Sequence, residues 1–115
     1  MPLEPRLATH MVVTALIRQC SATGDFATVL HKGDPVAGAL LLVSRIKGRN
    51  PALFEQFSAA NDTRNWRSVF DQDTDNEQKI SDYLERRIAQ DRDIWVLELD
   101  VAFAERLNGL LAPQG

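Results

Sequence analysis

"PVAGALLLVSRI", Pro35 to Ile46, decides how this chain is read, because its apolar core from Val36 to Val43 has no polar alternation at all. A strand that faces water on one side alternates, whereas one buried on both faces reads as a continuous apolar run. The run is about eight residues, well short of the roughly 20 needed to span a bilayer. It is therefore expected to be a strand at the centre of a sheet, and the rest of the chain has to supply its neighbours.

Upstream, "DFATVLHK" reads as a second strand, and the intervening "GDP" reads as a tight turn that Gly33 permits and Pro35 ends. Downstream, "KGRN" is a further turn, "PALFEQFS" a third strand, "AANDTRN" a polar connection and "WRSVF" a fourth strand. Read in order, these make an antiparallel β-meander. "DIWVLEL" is a fifth strand, with Trp95, Leu97 and Leu99 on one face and Ile94, Val96 and Glu98 on the other.

Helices surround these strands. Residues 6 to about 22 read as one, with Val12, Ala15, Leu16, Gln19 and Cys20 on a shared face, Met11, Val13 and Ile17 widening it, and Gly24 ending it. A stripe that broad suggests cover on more than one side. A second helix is expected over Thr74 to Gln90, where Ile80, Tyr83, Leu84 and Ile88 fall at helical spacing. Asp100 can cap a last one, "VAFAERLNGLL", which Pro113 stops. The expected class is α+β: a meander of four to five antiparallel strands with an N-terminal helix, a helix before the last strand and a C-terminal helix, in a single domain spanning residues 1–115.

Composition narrows the function. The chain of 115 residues is 44% hydrophobic and 25% charged, which fits one ordinary globular domain. One cysteine, Cys20, excludes an internal disulfide, and "MPLEPRLATH" lacks the apolar segment of a signal peptide, so a cytoplasmic protein is expected. The net charge of −3 argues against a general nucleic-acid binder. Its distribution is uneven: residues 1–57 carry about +2 and residues 58–115 about −5. Opposed charge of this kind can support self-association or steer a charged partner.

The acidic stretch "DQDTDNEQKISD", Asp71 to Asp82, invites a calcium reading with Asp71, Asp73, Asp75 and Asp82 as ligands. Against it, Asn76 stands where the loop needs glycine, Lys79 where it needs an oxygen, and a strand rather than a helix leads in. A capping box explains the same residues better, with the Thr74 hydroxyl accepting from the Glu77 N–H and the Glu77 side chain reaching back. No metal and no cofactor is expected.

Two further constellations are candidates. Arg6 and His10 share a helical face and, with Asp34 from the first turn, could form a small ligand-binding or enzymatic site. Arg45, Lys47 and Arg49 of the basic turn, with Arg64, Trp66 and Arg67, could form a patch for an anion or a single-stranded nucleic acid. No phosphate loop, nucleophile elbow or dinucleotide fingerprint occurs.

Several short motifs together resemble the bacterial family catalogued as domain of unknown function 1491. They are Pro5-Arg6-Leu7, Ala15-Leu16-Ile17-Arg18, Gly33-Asp34-Pro35 with Ala37-Gly38, Trp66, and Asp91 through Glu98 around Trp95. Members often carry proline where this chain has Arg92. The resemblance implies a compact bacterial cytoplasmic domain and supplies no catalytic residues. The leading expectation is a non-catalytic interaction or accessory domain, possibly a homodimer, working through an exposed sheet face or edge. Its partner would be another protein or a second copy; no membrane is expected, and nucleic acid is not favoured.

Overall fold

The structure is a computed structural model and describes residues 8–58, 64–71, 73 and 76–112. Helix α1 (Thr9–Ala22) is followed by strands β1 (Phe26–His31), β2 (Leu40–Ile46), β3 (Arg49–Ser58) and β4 (Arg64–Phe70). Helix α2 (Glu77–Gln90), strand β5 (Trp95–Val101) and helix α3 (Ala104–Leu110) complete the order. The class is α+β, with three helices and one five-stranded sheet among the described residues.

The sheet is mixed, which corrects the antiparallel meander. Its order is β1-β5-β2-β3-β4, so β5 enters between the first two strands. It pairs antiparallel with β1 and parallel with β2, Leu40 to Ile46 lying beside Trp95 to Val101. Only β2, β3 and β4 form the consecutive antiparallel run that the turns suggest. "LLLV" is central as its apolar character requires, and Leu40, Leu41, Leu42 and Val43 are all fully buried.

The reason lies in residues 32–39. A hairpin joins strands about 4.8 Å apart, but β1 and β2 are separated by a whole strand, roughly twice that distance. Residues 32–39 instead form a strap across the start of β5. The Asp34 N–H donates to Asp93 O (2.9 Å), the Trp95 indole N–H to Asp34 O (2.7 Å) and the Trp95 amide to Ala39 O (2.7 Å). Gly33 and Gly38 lie against this backbone, and a Cβ at either would stand 2.0 or 2.2 Å from Asp93 O. These glycines serve a close approach rather than a tight turn.

Helices cover both faces of the sheet. On one face Val13, Leu16 and Cys20 of α1 pack on Leu40, Leu42, Trp95, Leu97 and Leu99, with Leu110 and Leu111 alongside. On the other, Ile80 of α2 packs on Leu41, Val43, Leu53, Ile94 and Val96, flanked by Tyr83, Leu84 and Ile88. The α1 stripe is narrower than expected: Met11 is half exposed, and the buried positions recur at Thr9, Val13, Leu16 and Cys20. The start of α1 rests on the strap, where the Thr9 and His10 N–H groups donate to Val36 O and Pro35 O and the Thr9 hydroxyl to Gly38 O.

The β2–β3 turn is Lys47-Gly48 with φ of 52° and 75°, the left-handed pair of a two-residue hairpin. The Gly48 N–H donates to the Asp100 carboxylate (2.9 Å), so Asp100 braces this turn instead of capping α3. Val101 belongs to β5 opposite Ile46, and α3 starts three residues later than expected. Ser44 interrupts the buried face of β2. Its hydroxyl is fully buried and has no hydrogen-bond partner among the described residues, an arrangement that costs roughly 1–3 kcal/mol when nothing meets the group.

Candidate interaction surface

The cations of the expected nucleic-acid patch are largely engaged. The Arg45 guanidinium donates to both oxygens of Glu77 (2.5 and 2.9 Å) and to Glu98 (2.9 Å). Its hydrogen bonds to Glu77, with smaller help from Glu98, raise its pKa and hold the Glu77 carboxyl below its ordinary value. Arg67 bonds Glu55 (3.0 Å), which also receives Arg87 (2.9 Å). Hydrogen bonding from Arg87, then from Arg67, keeps the Glu55 carboxyl below its usual range despite partial burial. These two arginine–glutamate groups tie the ends of α2 to the sheet.

Trp66 is half-buried against the α1-side core, whereas Arg45 reaches Glu77 at the start of α2 on the opposite side of the sheet. The sheet therefore separates Trp66 from Arg45. Lys47 lies 5.9 Å from the Phe103 ring, and Arg49 is exposed at the start of β3. The side chain of Arg64 lies outside the described residues.

In the second constellation, the strap brings Asp34 beside the start of α1, but the Asp34 carboxylate accepts from the Val36 and Ala37 N–H groups of its own turn (3.0 and 2.7 Å). His10 is exposed, and Arg6 lies outside the described residues. In the acidic stretch, Asp71 accepts from the Ser68 hydroxyl (2.8 Å) and Asp82 from Gln78 within α2 (2.9 Å), while Asp75 lies outside the described residues. No group of three metal-ligating side chains occurs among the described residues. Thr74 of the expected capping box is likewise outside them. Asn76 precedes the first helical residue without a side-chain capping bond, and both carboxylate oxygens of Glu77 meet Arg45.

The feature that sequence reasoning left unassigned is β1. Among the described residues it is an edge strand, paired on one side only. Phe26 is 72% exposed, Leu30 49% and Val29 40%. On its α2-side face, the helix packs over β2, β3 and β5 and its apolar cluster takes in no β1 residue. Edge strands are usually protected by lysine, proline or brevity, and "FATVLH" has no charged residue or proline within six positions. The one irregularity is a register shift between Val29 and His31, where the ring Nδ1 lies 2.7 Å from Ile94 O. The other edge, β4, carries Arg64 and Arg67. The missing alternation in "FATVLH" was the available signal, because a half-buried strand has one polar face and this one does not.

No helix among the described residues is long and apolar enough to cross a membrane. A comparison with curated proteins gives no significant match. Solved structures do match. A crystal structure of a DUF1491 family protein from Caulobacter crescentus CB15 is 36% identical, with a TM-score of 0.69, over 84% of this chain and 89% of that one. The solution structure of protein Atu0922 from A. tumefaciens is 28% identical, with a TM-score of 0.75, over 96% and 99%. An NMR structure of a DUF1491 family protein from C. crescentus CB15 gives 34% identity and a TM-score of 0.71 over 85% and 88%. The family model described as "Protein of unknown function (DUF1491)" matches residues 7–108, nearly the whole described fold, and the chain belongs to that family.

Proposed function

We propose that this domain is a non-catalytic interaction module of the bacterial cytoplasm that pairs with a second copy of itself through the free edge of β1. The observation that carries the reading is the uncharged, apolar and exposed edge formed by Phe26, Val29 and Leu30. An unpaired edge offers backbone donors and acceptors to any extended strand. A second copy suits it because a strand without charge can meet itself antiparallel about a twofold axis without opposing like charges. With the axis near Thr28, Phe26 of one copy approaches the Leu30 end of the other, apolar against apolar. The cytoplasmic setting is supported by the single cysteine, which is buried and free.

The test is sedimentation equilibrium across a wide concentration range, on the wild type and on Leu30→Lys. The wild type is expected to reach twice the chain mass. The variant is expected to remain monomeric with unchanged far-UV circular dichroism, because Leu30 is half exposed and a lysine there brings two cations toward one apolar seam. A wild type that stays monomeric at every concentration, or a variant that associates equally well, removes this function.

A further inference from the structure

We infer that the contact between two copies is two layers deep: the flank of α1 beside β1 packs across the same twofold axis, with Ile17 at its centre. This rests on the strand pairing proposed above and adds a helix to it. The seam alone is small. Six residues at about 3.3 Å each make an edge roughly 20 Å long, and a sheet about 10 Å thick gives it some 200 Å² in projection. A standard stable interface takes about 800 Å² from each partner, so further surface has to meet.

Helix α1 is placed to supply it. On its face of the sheet, α3 stands over β2 and β3, where Leu107 and Asn108 lie beside Ala52 and Phe54. Gln19 and Ala22 of α1 line a cleft with Arg106, Gly109 and Leu110 of α3, so that flank of α1 looks toward β2 and β3. At 3.6 residues per turn the opposite flank carries Thr14, Ile17 and Ser21, with His10 at its N-terminal end. That flank looks toward β1 and the free edge.

A helix that faces water normally carries charge on its outer side, but Arg18 is the one lysine, arginine, aspartate or glutamate in the 14 residues of α1. The flank beside β1 has none, so it continues the uncharged surface of the strand edge. The Thr14 hydroxyl already donates to His10 O (2.8 Å), and covering it strands no donor. Beneath the flank lie Ala27 and Val29, which pair with Leu99 and Leu97 of the core under α1. Counting back from Ala22 at about 1.5 Å per residue, and forward from Phe26 at about 3.3 Å, sets Ile17 level with Thr28, where the axis passes. The half-buried Ile17 and the exposed Val29 of the two copies then close into one apolar layer on this side of the seam. A second copy fits because it brings the same uncharged helix and strand, each opposite itself.

The experiment measures dimer affinity by sedimentation equilibrium for the full chain and for Thr14→Arg, Ser21→Arg and Ala15→Arg, all exposed positions of α1. Thr14→Arg and Ser21→Arg are each expected to weaken dimerisation by about tenfold or more, because the axis brings two cations into one apolar layer. Ala15→Arg, on the side of the helix away from β1, is expected to dimerise like the wild type. In a 1:1 mixture of ¹³C-labelled and unlabelled wild-type chains, isotope-filtered spectra are expected to show contacts from the Ile17 methyls of one copy to the Val29 methyls of the other. This measurement needs no variant, so it decides the matter even if a substitution unfolds the helix. A wild-type dimer without Ile17–Val29 contacts between copies, or folded Thr14→Arg and Ser21→Arg variants that dimerise as tightly as wild type while Leu30→Lys does not, would mean a seam of strands alone. This inference would then fall while the proposed function stood. A wild type that never dimerises removes both.

Discussion

Replacing Gly33 by alanine tests the crossing of the strap over β5, on which the mixed sheet depends. The added Cβ would stand 2.0 Å from Asp93 O and 2.6 Å from both the Asp93 and Ile94 carbonyl carbons. These neighbours are backbone and cannot rotate away, so the strap must withdraw by more than an ångström. Withdrawal breaks the Asp34–Asp93 bond and pulls Asp34 O from the Trp95 indole. Two lost hydrogen bonds at about 1 kcal/mol each, plus an indole N–H stranded in a 5% exposed residue at about 1–3 kcal/mol, give a loss of roughly 3–5 kcal/mol. That is a large part of the 5–15 kcal/mol by which domains are stable, and corresponds to a drop in Tm of about 10 °C or more. Urea unfolding followed by circular dichroism measures it. Gly109→Ala is the control: it lies in α3 with nothing within 4 Å of the new Cβ, and should gain up to about 1 kcal/mol from helix propensity. If Gly33→Ala lies within about 0.5 kcal/mol of the wild type, a difference typical of neutral surface changes, the strap is not seated on β5 and the reasoning fails.

Acid should weaken the fold through Glu55. Its carboxyl is held below its ordinary value by Arg87, so the stabilisation is present above pH 4.5 and disappears as pH falls through the lower folded-state value. Glu55→Gln should therefore flatten the acid limb of stability against pH, and a limb as steep as wild type would count against the pairing. Asp25 should contribute in the same direction. Burial pushes its carboxyl up, but the Thr23 hydroxyl, the Ala102 N–H and Arg106 outweigh that and hold it low, so Asp25→Asn should also lessen the acid sensitivity. Cys20 is fully buried, and burial, followed by the nearby Asp25 charge, pushes its thiol up. Its labelling by a disulfide reagent at pH 8 should follow the population of unfolded chain as urea is raised, and rapid labelling in the native state would contradict the packing.

Much of the layer structure was legible because burial writes itself into periodicity. The continuous apolar run of β2 marked a central strand, and the alternation of Trp95, Leu97 and Leu99 with Ile94 and Val96 assigned both faces of β5 correctly. Pairing partners were not legible in the same way. Nothing in "FATVLH" distinguishes β2 from β5 as its neighbour, and "GDP" suits a hairpin locally, so the parallel contact between β2 and β5 depends on the strap's packing on Asp93 and Trp95. Candidate polar residues were misassigned for a related reason. Charges adjacent along the chain need not share a face of the sheet, and Arg45 and Arg67 meet glutamates up to 53 positions away. Asp100 illustrates the same limit, since capping a following helix and bracing the turn at Gly48 call for the same short carboxylate.

The insertion of β5 between β1 and β2 also bears on how the chain emerges from a ribosome. At about 5–20 residues per second, the segment from Phe26 to Phe70 is released seconds before Trp95 to Val101 follow. During that interval β2, β3 and β4 can assemble by short local closures, whereas β1 has no strand to join and β2 keeps one side open. A nascent chain stalled before residue 95 would thus expose two unsated strands at once, an opening that a chaperone, or another unfinished copy, could enter.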